Sequence, residues 1–173
     1  MRNLPAAAAV AILLALAACQ GEAPEPEAEQ TEIPEELQSS PERPEQVSEE
    51  IEGATPMGER MATIGVVNKR NNISQDIEML PGESRRLGDV IVKLEACERT
   101  APWEDPVQTA GFVQVFVNER QDAGAERAWF KVHSGWLYKE NPSLNVVEHP
   151  VYDVWFKECE MSFPGEEPVV SES

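Results

Sequence analysis

The chain has 173 residues, with 14 Lys and Arg against 32 Asp and Glu and a formal net charge of −18. That balance leaves no basic stripe to neutralise phosphates, which excludes nucleic acid as a partner. Only two histidines, His133 and His149, are available for imidazole chemistry.

The N-terminal run opens on a single positive charge, Arg2, and continues as an Ala, Val, Ile and Leu stretch from Leu4 to Leu16. It closes on Leu16-Ala17-Ala18-Cys19. A spanning helix needs about 20 apolar residues, so residues 1–18 read as a targeting peptide that is removed. The pattern resembles bacterial lipoprotein signals, which implies that Cys19 is acylated and holds the protein on a bilayer. At ~0.8 kcal/mol per buried methylene, two or three acyl chains anchor where one does not. Gln20, where inner-membrane retention often uses Asp, points to the periplasmic face of the outer membrane. The alternative is an ordinary secretory signal with Cys19 as a spare thiol.

Residues 20–60 hold thirteen Glu, no Asp and only Arg43 and Arg60 as basic residues. Pro24, Pro26, Pro34, Pro41 and Pro44 disfavour helix interiors, and like charges repel along the segment. With few large apolar side chains, it buries too little to offset its ordering entropy. Residues 19–60 are therefore expected to form a disordered acidic stalk, with a root-mean-square reach of about 35 Å. An acidic arm that captures basic partners or divalent cations is the functional alternative.

Residues 61–163 carry all four Trp, all five Phe and both Tyr, enough to build one core. Apolar runs of period two recur between turn residues, so the domain is predicted to be all-β, a small antiparallel sandwich or barrel of about six strands. The first strand runs from Ala62 to Asn68, and Lys69-Arg70-Asn71-Asn72 turns it, because Asn tolerates positive φ. Ile73 to Leu80 pairs back, and Pro81-Gly82 turns again. Gly88 to Arg99 alternates, with Val90, Val92 and Leu94 on one face and Asp89, Ile91, Lys93 and Glu95 on the other. A Pro-rich loop with Trp103 leads to Gly111 to Glu119, which pairs with Ala128 to Tyr138. There Phe130 and Val132 are expected opposite Trp129, Lys131 and His133, with a bulge at Gly135. The last strand is Val151 to Cys159, and residues 164–173 form a polar tail.

With Cys19 taken by lipid, Cys97 and Cys159 are an even pair outside the cytoplasm and read as a disulfide across 62 positions. A redox pair is the alternative, although dithiol catalysts usually keep their cysteines close, as in C-x-x-C.

No catalytic frame, cofactor motif or metal-ligand spacing stands out. His149 lies in Glu148-His149-Pro150-Val151-Tyr152-Asp153, and His133 adjoins Ser134. A hydrolase-like use of His149 with Glu148 or Asp153 is the competing functional class, as is a metal site built from Glu148, His149, Asp153 and His133. Trp103 and Trp136, placed in or near loops, are candidates for exposed stacking surfaces.

The run Ser134-Gly135-Trp136-Leu137-Tyr138, Pro142-Ser143-Leu144-Asn145 and Glu148 to Trp155, ending at Cys159, resembles the domain of unknown function 2155 family of alphaproteobacterial envelope proteins. The Lys69 to Asn72 turn, Pro81-Gly82 and Cys97 fit the same pattern, so the resemblance covers roughly Ala62 to Cys159. It departs at the insert Asp122 to Glu126 and at Asn71-Asn72. It implies an exported small domain with two bridged cysteines, and no established activity, cofactor or catalytic residue. The expectation is thus a non-enzymatic, lipid-anchored module that docks another envelope protein or peptidoglycan. Its binding surface is expected at Trp136, Tyr138, Asn145, Glu148, His149 and Tyr152.

Overall fold

Alternation of β-branched and polar residues builds strands with one face to bury. The computed structural model describes residues 27–38 and 51–166. Among them the strands are β1 (Glu29–Gln30), β2 (Met61–Asn68), β3 (Ile73–Met79), β4 (Ser84–Leu87), β5 (Val90–Arg99), β6 (Thr109–Glu119), β7 (Ala128–Tyr138) and β8 (Tyr152–Glu160). All six strands read from the sequence are present, with ends shifted by at most two residues. They form two antiparallel sheets, one ordered β1-β4-β5-β6-β7 and the other β3-β2-β8. The architecture is therefore a sandwich rather than a closed barrel. The expected signal peptide, Cys19, residues 20–26 and 39–50 of the expected stalk, and residues 167–173 lie outside the described residues.

The core fills the space between the sheets. Ala62, Ile64 and Val66 of β2 face Val90, Val92 and Leu94 of β5 and Val113, Val115 and Val117 of β6, joined by Val154 and Phe156 of β8. Phe156 lies against Gly111, where any side chain would collide with its ring. Cys97 and Cys159 are bonded, 5.8 Å apart at Cα, and tie β5 of one sheet to β8 of the other. Arg60 is only 5 % exposed beside this link. Its Nε donates to Thr55 O and its Nη1 to Cys97 O, and it pairs with Glu98. The β2–β3 turn carries Asn72 at φ 57°, as its Asn-Asn sequence predicts.

Three details differ from the sequence reading. β4 follows the Pro81-Gly82 turn with only four residues, two of them Arg, and gains its place by pairing with β5. In β7 the bulge falls at Val132, the extra residue between Lys131 and His133, whose partners Phe116 and Val115 are adjacent. It turns His133 to the inner side with Val115, away from Trp129 and Lys131, whereas Gly135 pairs regularly with Val113. The third difference lies in the expected stalk. Residues 29–30 pair with β4, Ile33 is buried, and residues 55–60 fold onto the disulfide end of the sandwich. Composition argued for disorder there, but Ile33 and Leu37 supply apolar contact with the sheet. Beyond Phe163, Glu166 accepts hydrogen bonds from Arg99 and the Phe163 N–H, so order extends past the expected domain end.

Candidate functional site

His149 is the residue that sequence reasoning favours for chemistry, and its surroundings give it another task. The loop after β7 runs back beside that strand. Asn145 Nδ2 donates to Trp136 O at 2.9 Å and crosses the space above Gly135, Val147 enters the core, and His149 is 7 % exposed. Its Nδ1 accepts the N–H groups of Val151 and Tyr152 at 3.2 and 3.1 Å. The neutral ring therefore carries its proton on Nε2, which donates to Glu119 Oε2 at 3.2 Å. Stacking against Tyr152, with centroids 5.6 Å apart, completes the packing. The imidazole thus caps the turn into β8, with every nitrogen engaged.

The other elements of a hydrolase do not assemble around it. Glu148 is exposed, and Asp153 Oδ1 accepts from the N–H of Val154. Ser134 pairs with Gln114 on the outer face of its sheet, whereas His133 pairs with Val115 on the inner side. Burial pushes the His133 imidazole below its ordinary value, against a smaller upward pull from the Gly135 backbone, and its buried Nε2 has no partner. Tyr152 is shifted up, first by burial and then by the Asp89 carboxylate. Among the described residues no group of three or more His, Cys, Asp or Glu is placed to hold a metal ion.

The six candidate surface residues do not form one patch. Trp136 and Tyr138 pair with Phe112 and Ala110 at one end of β6, whereas His149 reaches Glu119 at the other. Phe112 and Glu119 are seven positions apart, about 24 Å at ~3.4 Å per residue. Tyr152 and Glu148 belong to the His149 end, and Asn145 serves as an internal tie. Trp136 sits inside β7 rather than in a loop, half-buried edge-on against Phe112 at 5.7 Å. Trp103, in its loop, is 65 % exposed.

A different surface emerges on the outer face of the five-stranded sheet. Residues facing away from a sandwich core are ordinarily polar. Here Ile91 and Phe116 pair across β5 and β6, Phe112 pairs with Trp136, and Trp129 lies diagonally beside Phe116. Arg86 lies over the Trp129 ring at 5.1 Å. The expected outer row of β5 anticipates Ile91, but not what covers it. Ile33 is 8 % exposed against Ile91 and Phe116, with Leu37 and Trp129 packed around them. Thr31 N–H donates to Ser84 O at 3.1 Å, and the residues after it cross the sheet through a 3-10 turn at Glu35–Leu37. Beside this strap opens a cleft of about 1220 Å³, floored by Ser84, Lys93, Glu95 and Gln114. The signal that the sequence reading passed over is a pair of aliphatic residues four apart inside an acidic run.

These features define a small disulfide-linked β-sandwich whose outer aromatic face is partly covered by a segment from its own N-terminal side. The chain belongs to the family described as uncharacterized proteins conserved in bacteria (DUF2155), whose model matches residues 62–159. It is also similar to an uncharacterized protein of Rickettsia prowazekii (strain Madrid E), with 26 % identity over 93 residues, or 54 % of this chain. The match spans 56 % of that relative's length. No solved structure matches the chain. No described helix is long and apolar enough to cross a membrane.

Proposed function

We propose that this protein is a non-enzymatic docking module of the cell envelope, anchored through acyl chains on Cys19 at the periplasmic face of the outer membrane. Its β domain binds another envelope component, a protein or peptidoglycan. One observation carries the docking reading: Ile91, Phe112, Phe116, Trp129 and Trp136 stand on the sheet face turned away from the core. The strap buries Ile91 and Phe116, whereas Phe112, Trp129 and Trp136 stay partly exposed around them, and apolar patches of that kind mark interaction sites. The Leu16-Ala17-Ala18-Cys19 run after the apolar stretch supports the anchor.

The test is crosslinking and pull-down of the full chain from its own envelope, comparing wild type with Trp136→Ala, Trp129→Ala and His149→Asn. A partner lost with either Trp variant and kept with His149→Asn supports docking through this face. Capture that is unchanged in both Trp variants overturns it. Labelling with radioactive palmitate, lost in Cys19→Ala, checks the anchor separately.

A further inference from the structure

We propose that the β4 edge, together with Ile91, Phe116 and Trp129, is a docking site for an extended acidic segment of a partner protein, with two aliphatic residues four positions apart. Residues 29–37 of this chain occupy that site as an internal stand-in. The proposal rests on the docking reading above and names the ligand class for it.

The strap makes the contacts an added peptide would make. Glu29 and Gln30 pair antiparallel with Arg86 and Arg85, and Thr31 N–H continues the ladder to Ser84 O. This is β-augmentation, in which backbone pairing at an open edge gives affinity and side-chain anchors give selectivity. Ile33 is the first anchor, seated on Ile91 and Phe116. Pro34 begins the 3-10 turn, Gln38 Nε2 donates to Ile33 O at 2.7 Å, and Leu37 arrives beside Trp129 as the second anchor. Charge agrees with the assignment. Glu29, Glu32, Glu35 and Glu36 lie on the strap, and Arg86 stands over Trp129 on the face it crosses, while Arg85 and Lys93 are already paired with Glu83 and Glu95.

The internal segment fits its site incompletely, which argues for a better occupant. Its ladder is two residues long, and among the described residues four-residue β4 has no other partner on that side. The cleft of about 1220 Å³ lies between strap and sheet, over Ser84, Lys93, Glu95 and Gln114. An incoming segment with a longer ladder would cover that floor. As a covalently linked competitor, the strap acts at an effective concentration on the order of millimolar, so weak acidic peptides are kept out and only a better match displaces it.

The full-length chain tests this against a fluorescein-labelled peptide of residues 27–38, read by anisotropy. The double variant Ile33→Asp/Leu37→Asp vacates the anchors without altering the sheet. It should bind the peptide at least ten-fold more tightly than wild type, and adding Trp129→Ala should weaken that binding several-fold. A second variant, Thr31→Pro, removes the N–H that donates to Ser84 O and should also bind more tightly than wild type, which guards against misfolding of the first. A peptide with Glu29, Glu32, Glu35 and Glu36 changed to Gln should bind less well at low salt.

Equal affinity of wild type and both variants, or no binding by either variant, overturns the proposal. A wild-type dimer in sedimentation that dissociates in the strap variants also overturns it, since the occupant is then the strap of a second copy. If the peptide fails but the pull-down partner is still lost with Trp136→Ala, the docking reading stands and this ligand class falls.

Discussion

Replacing both Cys97 and Cys159 by Ala tests how much of the sandwich's stability is stored in the link between its sheets. The bond closes a separation of 62 residues. The chain-entropy relation for a loop of that size gives about 4 kcal/mol of denatured-state constraint removed by the substitution. Both cysteines are essentially inaccessible, at 0 % and 2 % exposure, so truncation adds a small packing loss to the entropic one. For a domain of this size 1 kcal/mol moves Tm by roughly 4 °C, which predicts a fall of about 15 °C. Thermal unfolding followed by circular dichroism on the full chain measures it. Urea titration should show a lower midpoint and, because the unlinked denatured chain is more expanded, a slope at least as steep. Wild type unfolded and refolded in reductant should match the double variant. A Tm within 3 °C of wild type with an unchanged slope would refute the loop-entropy reasoning and leave the bond a bystander to the core.

His149→Ala leaves the N–H groups of Val151 and Tyr152 without their acceptor and should cost about 1–3 kcal/mol, whereas His149→Asn, whose Oδ1 reaches where Nδ1 stood, should recover much of it in urea titrations. Gly111→Ala drives a methyl into the Phe156 ring and should cost about 1–3 kcal/mol, with Phe156→Leu relieving part of that in a double-mutant cycle. His133 has a lowered pKa in the fold, so the unfolded chain binds more protons in the window below 6.5. Stability should therefore fall as pH drops through 6.5 and level off below the folded value; His133→Leu should flatten that part of the profile, and an unchanged profile would show that His133 is not its source.

The strands were legible because each depends on side chains that alternate within a few residues. Val90, Val92 and Leu94 announce a buried face whatever lies opposite, and Asn71-Asn72 announces a turn without tertiary help. The disulfide was legible from the parity of the cysteines and the compartment the sequence leads one to expect. What escaped the sequence depends on neighbours distant in the chain. Ser84–Leu87 has little strand character of its own and is held by β5. Ile33 lies in a run whose composition argues for disorder, and only the apolar surface of Ile91 and Phe116 outweighs it. His149 was legible as unusual but not in its role, since Glu119, thirty positions earlier, reaches it only after the loop doubles back along β7. The Val132 bulge likewise changes which face His133 occupies, and nothing in Phe130-Lys131-Val132-His133 fixes that register.

The position of β2 between β3 and β8 has a mechanical consequence. Tension between residue 60 and a partner held on the five-stranded sheet enters at Met61, and β2 can leave only by giving up its bonds to β3 and to β8. The two-residue ladder of β1 lies upstream in the same line of force and opens first. The strap would act as a weak link in series with a strong clamp, paying out chain under load while the sandwich stays folded.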